Sequence, residues 1–161
     1  MALAGVSTIG VLFGYGIEAT KGTKPSTFTQ LTRINQIGGI SLETEKIDAS
    51  ALEDLVTRYV AGRQDSGGTF SVTVNMTDDT VAEWTKLISD SDTAYKAGKS
   101  TWFEVYSPYL NKAFFIVAQP PNEIPMPDFS QNELQTVEMT LTINEYKGMD
   151  TKVQPTAPSA S

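Results

Sequence analysis

The 161 residues include no cysteine and no histidine. The first absence removes disulfides, thiolate metal sites and cysteine nucleophiles, and it leaves the redox compartment open. The second removes the base of a Ser-His-Asp triad and the side chain that titrates near neutrality, so any metal would have to be held by carboxylates alone. Positive charge is also scarce: 12 Lys and Arg stand against 19 Asp and Glu, a formal charge of −7. A protein that grips nucleic acid needs a basic stripe to displace counterions, and this balance disfavours one. Long apolar runs are missing too. Met1 to Ile17 is uncharged, but Gly5, Gly10, Gly14 and Gly16 interrupt it, it has no basic leader, and it is shorter than the ~20 residues of a spanning helix. Neither a signal peptide nor a membrane anchor is expected.

What is present is a chain with 40% hydrophobic and 19% charged residues, suited to one folded, soluble domain. The dominant periodicity is two. Phe70, Val72, Val74 and Met76 alternate with Thr69, Ser71, Thr73 and Asn75, and Val137, Met139, Leu141 and Ile143 alternate with Glu138, Thr140, Thr142 and Asn144, the signature of strands with one wet face. Shorter strands are expected from Phe28 to Ile34, from Ile37 to Ile47 and near Ile9 to Phe13. Thr101 to Tyr106 and Lys112 to Gln119 read as a hairpin whose second strand, apolar on both sides, is buried. One helix stands out over 78–88, where Val81, Trp84, Leu87 and Ile88 recur at helical spacing behind a Thr80–Glu83 capping box. A separate short turn is expected around Asp92 to Ala97, closed by Gly98. Residues 48–68 read as a long loop, and 120–127 as a stiff proline-rich connector. The tail from Thr151 is rich in Pro, Ala and Ser and is expected to be disordered alone.

Motifs for chemistry are weak. Gly14-Tyr15-Gly16-Ile17-Glu18-Ala19 fits the dinucleotide fingerprint in form, yet Gly22 and Pro25 follow where a helix should begin. Asp78-Asp79 and Asp90-x-Asp92 sit at expected helix starts, where acids act as caps. Glu104 and Glu138 are conceivable as a glycosidase pair, with nothing in the sequence to join them. Asn75-Met76-Thr77 has the form of a glycosylation acceptor without a secretory signal. No catalytic residue, cofactor or metal is expected, and the chain is read as a non-enzyme.

The order of features resembles the major tail, or tail-tube, proteins of long-tailed, non-contractile phages of siphovirus type. The matching run is Ile37-Gly38-Gly39-Ile40-Ser41-Leu42-Glu43-Thr44-Glu45-Lys46-Ile47-Asp48-Ala49-Ser50, followed by the segment through Tyr59-Val60-Ala61-Gly62-Arg63-Gln64-Asp65-Ser66-Gly67-Gly68. The strand from Thr69, the helix, the hairpin and the final strand then follow in the family's order, so most of Phe28 to Tyr146 is covered. The resemblance implies a mainly β fold, a small sandwich or barrel with one flanking helix, a long inter-strand loop and extended terminal arms. On this division 1–27 is an N-terminal arm, 28–148 the β domain and 149–161 a C-terminal tail.

It also implies six copies closing into a ring and rings stacking into a tube, a structural part of the virion tail put together in the host cytoplasm. The lumen would hold the tape-measure protein and later pass the genome without binding it specifically. Tail-tip and terminator proteins would be further partners, and membranes would not. Loop 48–68 would reach the neighbouring ring through Leu52, Leu55, Tyr59 and Arg63, and both termini would bridge rings. Glu43, Glu45 and Glu138 would line the lumen and repel phosphates, the alternative being that they are surface solubilising charges. With no immunoglobulin-like domain after the tail, the tube would be smooth. The rival readings are a terminator ring, a secretion or contractile-tail tube subunit and, from another class, a carbohydrate-binding β-sandwich using Trp102, Tyr106 and Tyr109.

Overall fold

A computed structural model describes residues 5–157. Along the chain it forms β1 (Leu12–Ile17), β2 (Thr29–Leu31), β3 (Ile34–Ile37), β4 (Glu43–Asp48), β5 (Tyr59–Asp65), β6 (Thr69–Asn75), α1 (Asp78–Lys96), β7 (Thr101–Tyr106), β8 (Lys112–Gln119) and β9 (Thr136–Thr151). Seven strands make one sheet in the order β2-β1-β7-β8-β9-β6-β3, with every neighbour antiparallel, while β4 and β5 pair only with each other.

This sheet is curled. Phe13 on β1 and Phe70 on β6 meet edge to face with ring centroids 6.4 Å apart. The two strands are four ladder steps from one another in the sheet order, which in a flat sheet would separate them by about 19 Å. Bulges help the bend: the β8–β9 register shifts between Phe115 and Ile116 and again between Val117 and Ala118, and each extra residue increases local twist. The concave face holds the main core, with Phe13, Tyr15, Phe103, Ile116, Val72, Val74, Met139 and Leu141 packed around Trp84 and Leu87 of α1.

The helix runs on to Lys96, past the 88 expected from periodicity. Ser89, Asp90, Ser91, Asp92 and Thr93 are poor helix formers, but tertiary contacts hold them in place. Thr101 Oγ1 donates to Ser91 Oγ at 3.0 Å and Tyr15 Oη donates to Asp90 at 3.3 Å, while Asp92 and Lys96 add a local pair one turn apart at 3.0 Å. The capping box also differs from the expected one. Thr77 is the N-cap, its hydroxyl accepting from the Thr80 N–H at 3.2 Å while its own N–H donates to Thr80 Oγ1 at 2.9 Å. Glu83 is drawn away to Thr32, whose hydroxyl donates to it at 2.8 Å. Gly98, at φ 76°, closes the helix in a Schellman motif with bonds from its N–H to Tyr95 and from Lys99 N–H to Ala94.

Segment 1–27 is not an arm free of the domain. Its strand β1 lies between β2 and β7 and buries Phe13 and Tyr15; Met1 to Ala4 lie outside the described residues. Gly14 and Gly16, which disguised this strand in the sequence, face the convex side. A Cβ on Gly16 would lie 2.7 Å from Thr27 O and 3.1 Å from Pro25 Cβ, and one on Gly14 would lie 3.0 Å from Thr29 O and 3.1 Å from Pro155 Cβ. The G-x-G spacing therefore lets a second layer lie flat on β1.

That layer covers Trp102, Ala113, Phe115 and Val117 with Phe28 and Val153. It includes residues of the expected C-terminal tail. β9 continues to Thr151, and Thr156 forms a parallel bridge with Thr29. Backbone bonds substitute here for the apolar periodicity that the tail lacks. Residues 158–161 of that tail lie outside the described residues.

Gly16→Val is expected to destabilise the fold by about 1–3 kcal/mol or more, because the obstructing atom is a backbone oxygen that cannot rotate away. A chemical-denaturation midpoint equal to that of the parent would show that the second layer does not press on β1.

Candidate assembly surfaces

Between β3 and β6 the chain leaves the sheet as a hairpin. The expected loop 48–68 and the expected strand 37–47 are both revised: the continuous strand breaks after Ile37, and Tyr59–Asp65 pairs with Glu43–Asp48 in a ladder with one register shift. Every residue of β4 is exposed, as is every residue of β5 except the half-buried Gly62. With neither face buried, no alternation marked β5 in the sequence.

The hairpin's end is built from polar bonds. Ser50 N–H donates to Asp48 Oδ1 at 2.9 Å, which holds that carboxyl below its usual range. Ala51 N–H donates to Asp54 at 2.8 Å, Arg58 Nε pairs with Asp54 at 3.1 Å, and Arg58 N–H donates to Ser50 Oγ at 2.8 Å. These bonds fix the backbone while the apolar side chains point outward: Leu52 and Leu55 are 108% and 101% exposed and Val56 75%. Tyr59 and Arg63 both lie on β5, to either side of the register shift's start, so the four expected contact residues share one projection, with Lys46 Nζ 5.9 Å from the Tyr59 ring.

Two further features belong to the main sheet. A groove of about 710 Å³ opens at the seam of the curl, lined by Ile34, Ile37, Ile40, Val105, Phe114 and Tyr146 among others. On the convex face of β6 and β9 the cross-strand pairs are Thr69–Thr142, Ser71–Thr140, Thr73–Glu138 and Asn75–Thr136. This hydroxyl-rich surface, with Glu138 as its acid, is half-buried to exposed. Glu43 and Glu45 are elsewhere, on β4 of the hairpin. The three acids expected to share a lining therefore occupy two separate sheets.

Solved structures share this architecture. A chain from the tail of an empty GTA particle with C6 symmetry superposes with a TM-score of 0.57 at 14% identity, covering 92% of this chain and all of that one. A chain from the native virion of the gene transfer agent gives 0.56 at 14% identity, with 92% and 100% covered. A chain from the sixfold-symmetrised baseplate of the anti-feeding prophage gives 0.51 at 14% identity, with 93% and 96% covered. The mainly β fold with one helix is similar to the folds of these tail and baseplate chains. No protein-family model and no curated protein matches the sequence.

The candidate chemical groups separate on this fold. Glu104 on β7 lies two strands from β9, opposite Phe115 and through it Gly148. Glu138 is ten residues further along β9, roughly 30 Å away at ordinary strand rise, so the two carboxylates cannot act on one bond. Trp102 is 5% exposed and its Nε1–H donates to Glu18 at 2.9 Å, which removes the centre of the aromatic platform that a sugar would stack on. Gly14 and Gly16 lie within a strand and open no helix. Asp78 and Asp79 occupy the first turn of α1. Among the described residues no group of three or more acids is placed to hold a metal.

The sequence reading did not foresee that Glu18 and Glu104 are buried. Glu18 accepts from Ser100 N–H at 2.7 Å, Gly22 N–H at 2.9 Å and Trp102 Nε1, tying the end of β1 to the start of β7. Glu104, set in the apolar run Trp102-Phe103-Glu104-Val105-Tyr106, is fully buried beneath the C-terminal segment. Its Oε2 accepts from Val153 N–H at 2.9 Å, and its Oε1 has no partner. Burial pushes its carboxyl up to about 7, against smaller lowering by the Val153 N–H and by Lys24.

The proton is thus held more tightly in the folded chain than in the unfolded one. Stability from this group is complete below about pH 4.5 and falls as the pH rises toward about 7, by a total on the order of 3 kcal/mol. Glu104→Gln is expected to flatten that slope in denaturation curves taken between these values. An unchanged slope would assign the pH dependence to other groups.

Proposed function

We propose that the chain is the structural subunit of a phage tail tube of the long, non-contractile kind. Six copies close a ring, and rings stack into a conduit through which the genome leaves for the host cell. The observation that carries this reading is the projecting hairpin, whose end is stiffened by hydrogen bonds yet presents Leu52 and Leu55 entirely, and Val56 largely, to solvent. An isolated two-stranded hairpin is marginally stable at best, and a fixed apolar projection is the form of an interface anchor. Support also comes from the fold shared over nearly full length with chains of sixfold tail assemblies. The hairpin docks on the neighbouring ring through Leu52, Leu55, Tyr59 and Arg63. Together with contacts between sheets it brings the buried area toward the more than about 2,000 Å² of permanent assemblies.

The lumen is lined by the hydroxyl-rich face of β6 and β9, since the convex face of β1, β7 and β8 is occupied by the second layer. Glu138 lies within that wall, and Glu43 and Glu45 on the hairpin face the channel where rings meet. Neutral hydroxyls and sparse acids neither hold nor release counterions, so DNA slides. The tape-measure protein fills the lumen before ejection, and tail-tip and terminator proteins close the ends. The tube is put together in the host cytoplasm and has no catalytic duty.

Negative-stain electron microscopy of the concentrated protein, alone and seeded with tail-tip complexes, is expected to show stacked rings with an open channel. The double substitution Leu52→Asp, Leu55→Asp is expected to leave the subunit's melting temperature unchanged, because both side chains are already in water, and to abolish stacking. Single rings from the parent protein would favour a terminator, and monomers that ignore the seeds would sink the tube reading.

A further inference from the structure

The curled sheet has two ends, and the chain's connections furnish them differently. At one end β6 and β8 begin, β3 and β7 finish, and the groove opens among Phe70, Phe114, Tyr146, Ile37 and Val105. The hairpin leaves from this same end, through Gly38 and Gly39 of the groove's own wall. At the other end β8 finishes at Gln119, β9 starts at Thr136, and residues 120–135 join them. Met76 N–H donates to Gln135 O at 2.9 Å there, beside the N-cap of α1. Ile124 packs on the main core and fixes this connector, while Met126, Phe129 and Leu134 stand out to solvent.

The two ends match in chemistry. The groove has three aromatic lining residues, and its volume of about 710 Å³ lies within the roughly 300–1,000 Å³ of pockets that bury most of a ligand. The connector carries Pro120, Pro121, Pro125 and Pro127 ahead of Phe129. Prolines fix φ, so such a segment loses little entropy on docking, and aromatic-lined grooves are where proline-rich segments lie. Charge agrees as well. The connector has Glu123, Asp128 and Glu133 and no Lys or Arg. Among the described residues the groove's lining includes no charged side chain, and two cations stand at its end. Lys112 is two residues before Phe114 on β8, and Lys152 Nζ donates to the carbonyl of the lining residue Leu110 at 3.1 Å.

We propose that the groove of one copy receives the β8–β9 connector of a second copy, with Met126 and Phe129 as the inserted side chains. The inference adds a contact to that of the hairpin and rests on the tube reading of the preceding section. Connector and groove lie at opposite ends of one sheet, so a copy cannot fill its own groove. The contact is therefore heterologous: it joins copies head to tail and gives all of them one polarity. The hairpin tip fits this role less well, because it springs from the groove's own end, and reciprocal docking of tips would close pairs rather than extend an assembly.

The absence of native cysteine permits a direct reading. Gln36, in the groove wall, and Met126 are both exposed in the single subunit. Assemblies of the Gln36→Cys, Met126→Cys protein treated with a short bis-maleimide are expected to give a ladder of covalent oligomers on denaturing gels, and dilute single subunits to give none. The Gln36→Cys, Leu55→Cys protein is expected to give no ladder. The double substitution Met126→Ser, Phe129→Ser is expected to keep the parent's melting temperature, because both side chains are already largely in water, and to raise the concentration needed for assembly by about tenfold or more. Assemblies that form without a Gln36–Met126 link would overturn the connector contact and leave the tube reading standing. So would a ladder through Leu55, which would give the groove to the hairpin, or links that stop at dimers, which would mean a two-fold contact. If the cysteine pair prevents assembly, the serine variant decides alone, and assembly at the parent's concentration would overturn the contact. Failure of the parent itself to assemble would remove the tube reading and the connector contact together, an outcome distinct from the others.

Discussion

The rest of the structure depends on the closure of one seven-stranded sheet upon itself. A small chain gains more buried apolar area by curling a single sheet around a core than by leaving it open. Here the curl is marked by Phe13 meeting Phe70 across four ladder steps. Trp84 and Leu87 fill the hollow, which is why α1 lies against β1, β2 and β7 and why its weak second half stays helical. The curl also leaves a seam, where the apolar groove opens beside β3.

Closure on one side creates a demand on the other. β8 is apolar on both faces, with Phe115 and Val117 convex and Ile116 and Ala118 concave, so a second layer is needed. Segments before β2 and after β9 supply it, and Gly14 and Gly16 let them lie close. The buried acids join these layers through backbone N–H donors: Glu18 binds the turn after β1, and Glu104 binds the C-terminal segment. Such bonds position a segment at little net gain in stability.

The assembly surfaces sit apart from this architecture. The hairpin shares no sheet with the domain, and its end is ordered by Asp48, Ser50, Asp54 and Arg58 without a core beneath it. Leu52, Leu55 and Val56 there bury nothing within the subunit, so its folding energetics do not depend on them. The groove and the hydroxyl-rich face of β6 and β9 are the other exposed features of the main sheet.

Much of this was determined locally by the sequence. The alternation over Thr69–Asn75 and Val137–Ile143, the two-sided apolar strand β8, and the helical spacing of Trp84 and Leu87 identify elements whose buried faces repeat at the backbone's own period. Leu52, Leu55, Tyr59 and Arg63 were singled out through the family resemblance, and the structure places all four exposed on one hairpin. Only the tertiary structure decided the rest. β1 was hidden by glycines required for a close approach between layers, β5 by exposure on both faces, the end of α1 by contacts to Tyr15 and Thr101, and the C-terminal segment by being held through backbone bonds and two layers' packing. Nor could the sequence place Glu43 and Glu45 apart from Glu138, or Glu104 far from it. Periodicity reports which face of a segment is buried, whereas strand pairing and layer contact depend on residues far away in the chain, and those leave no local mark.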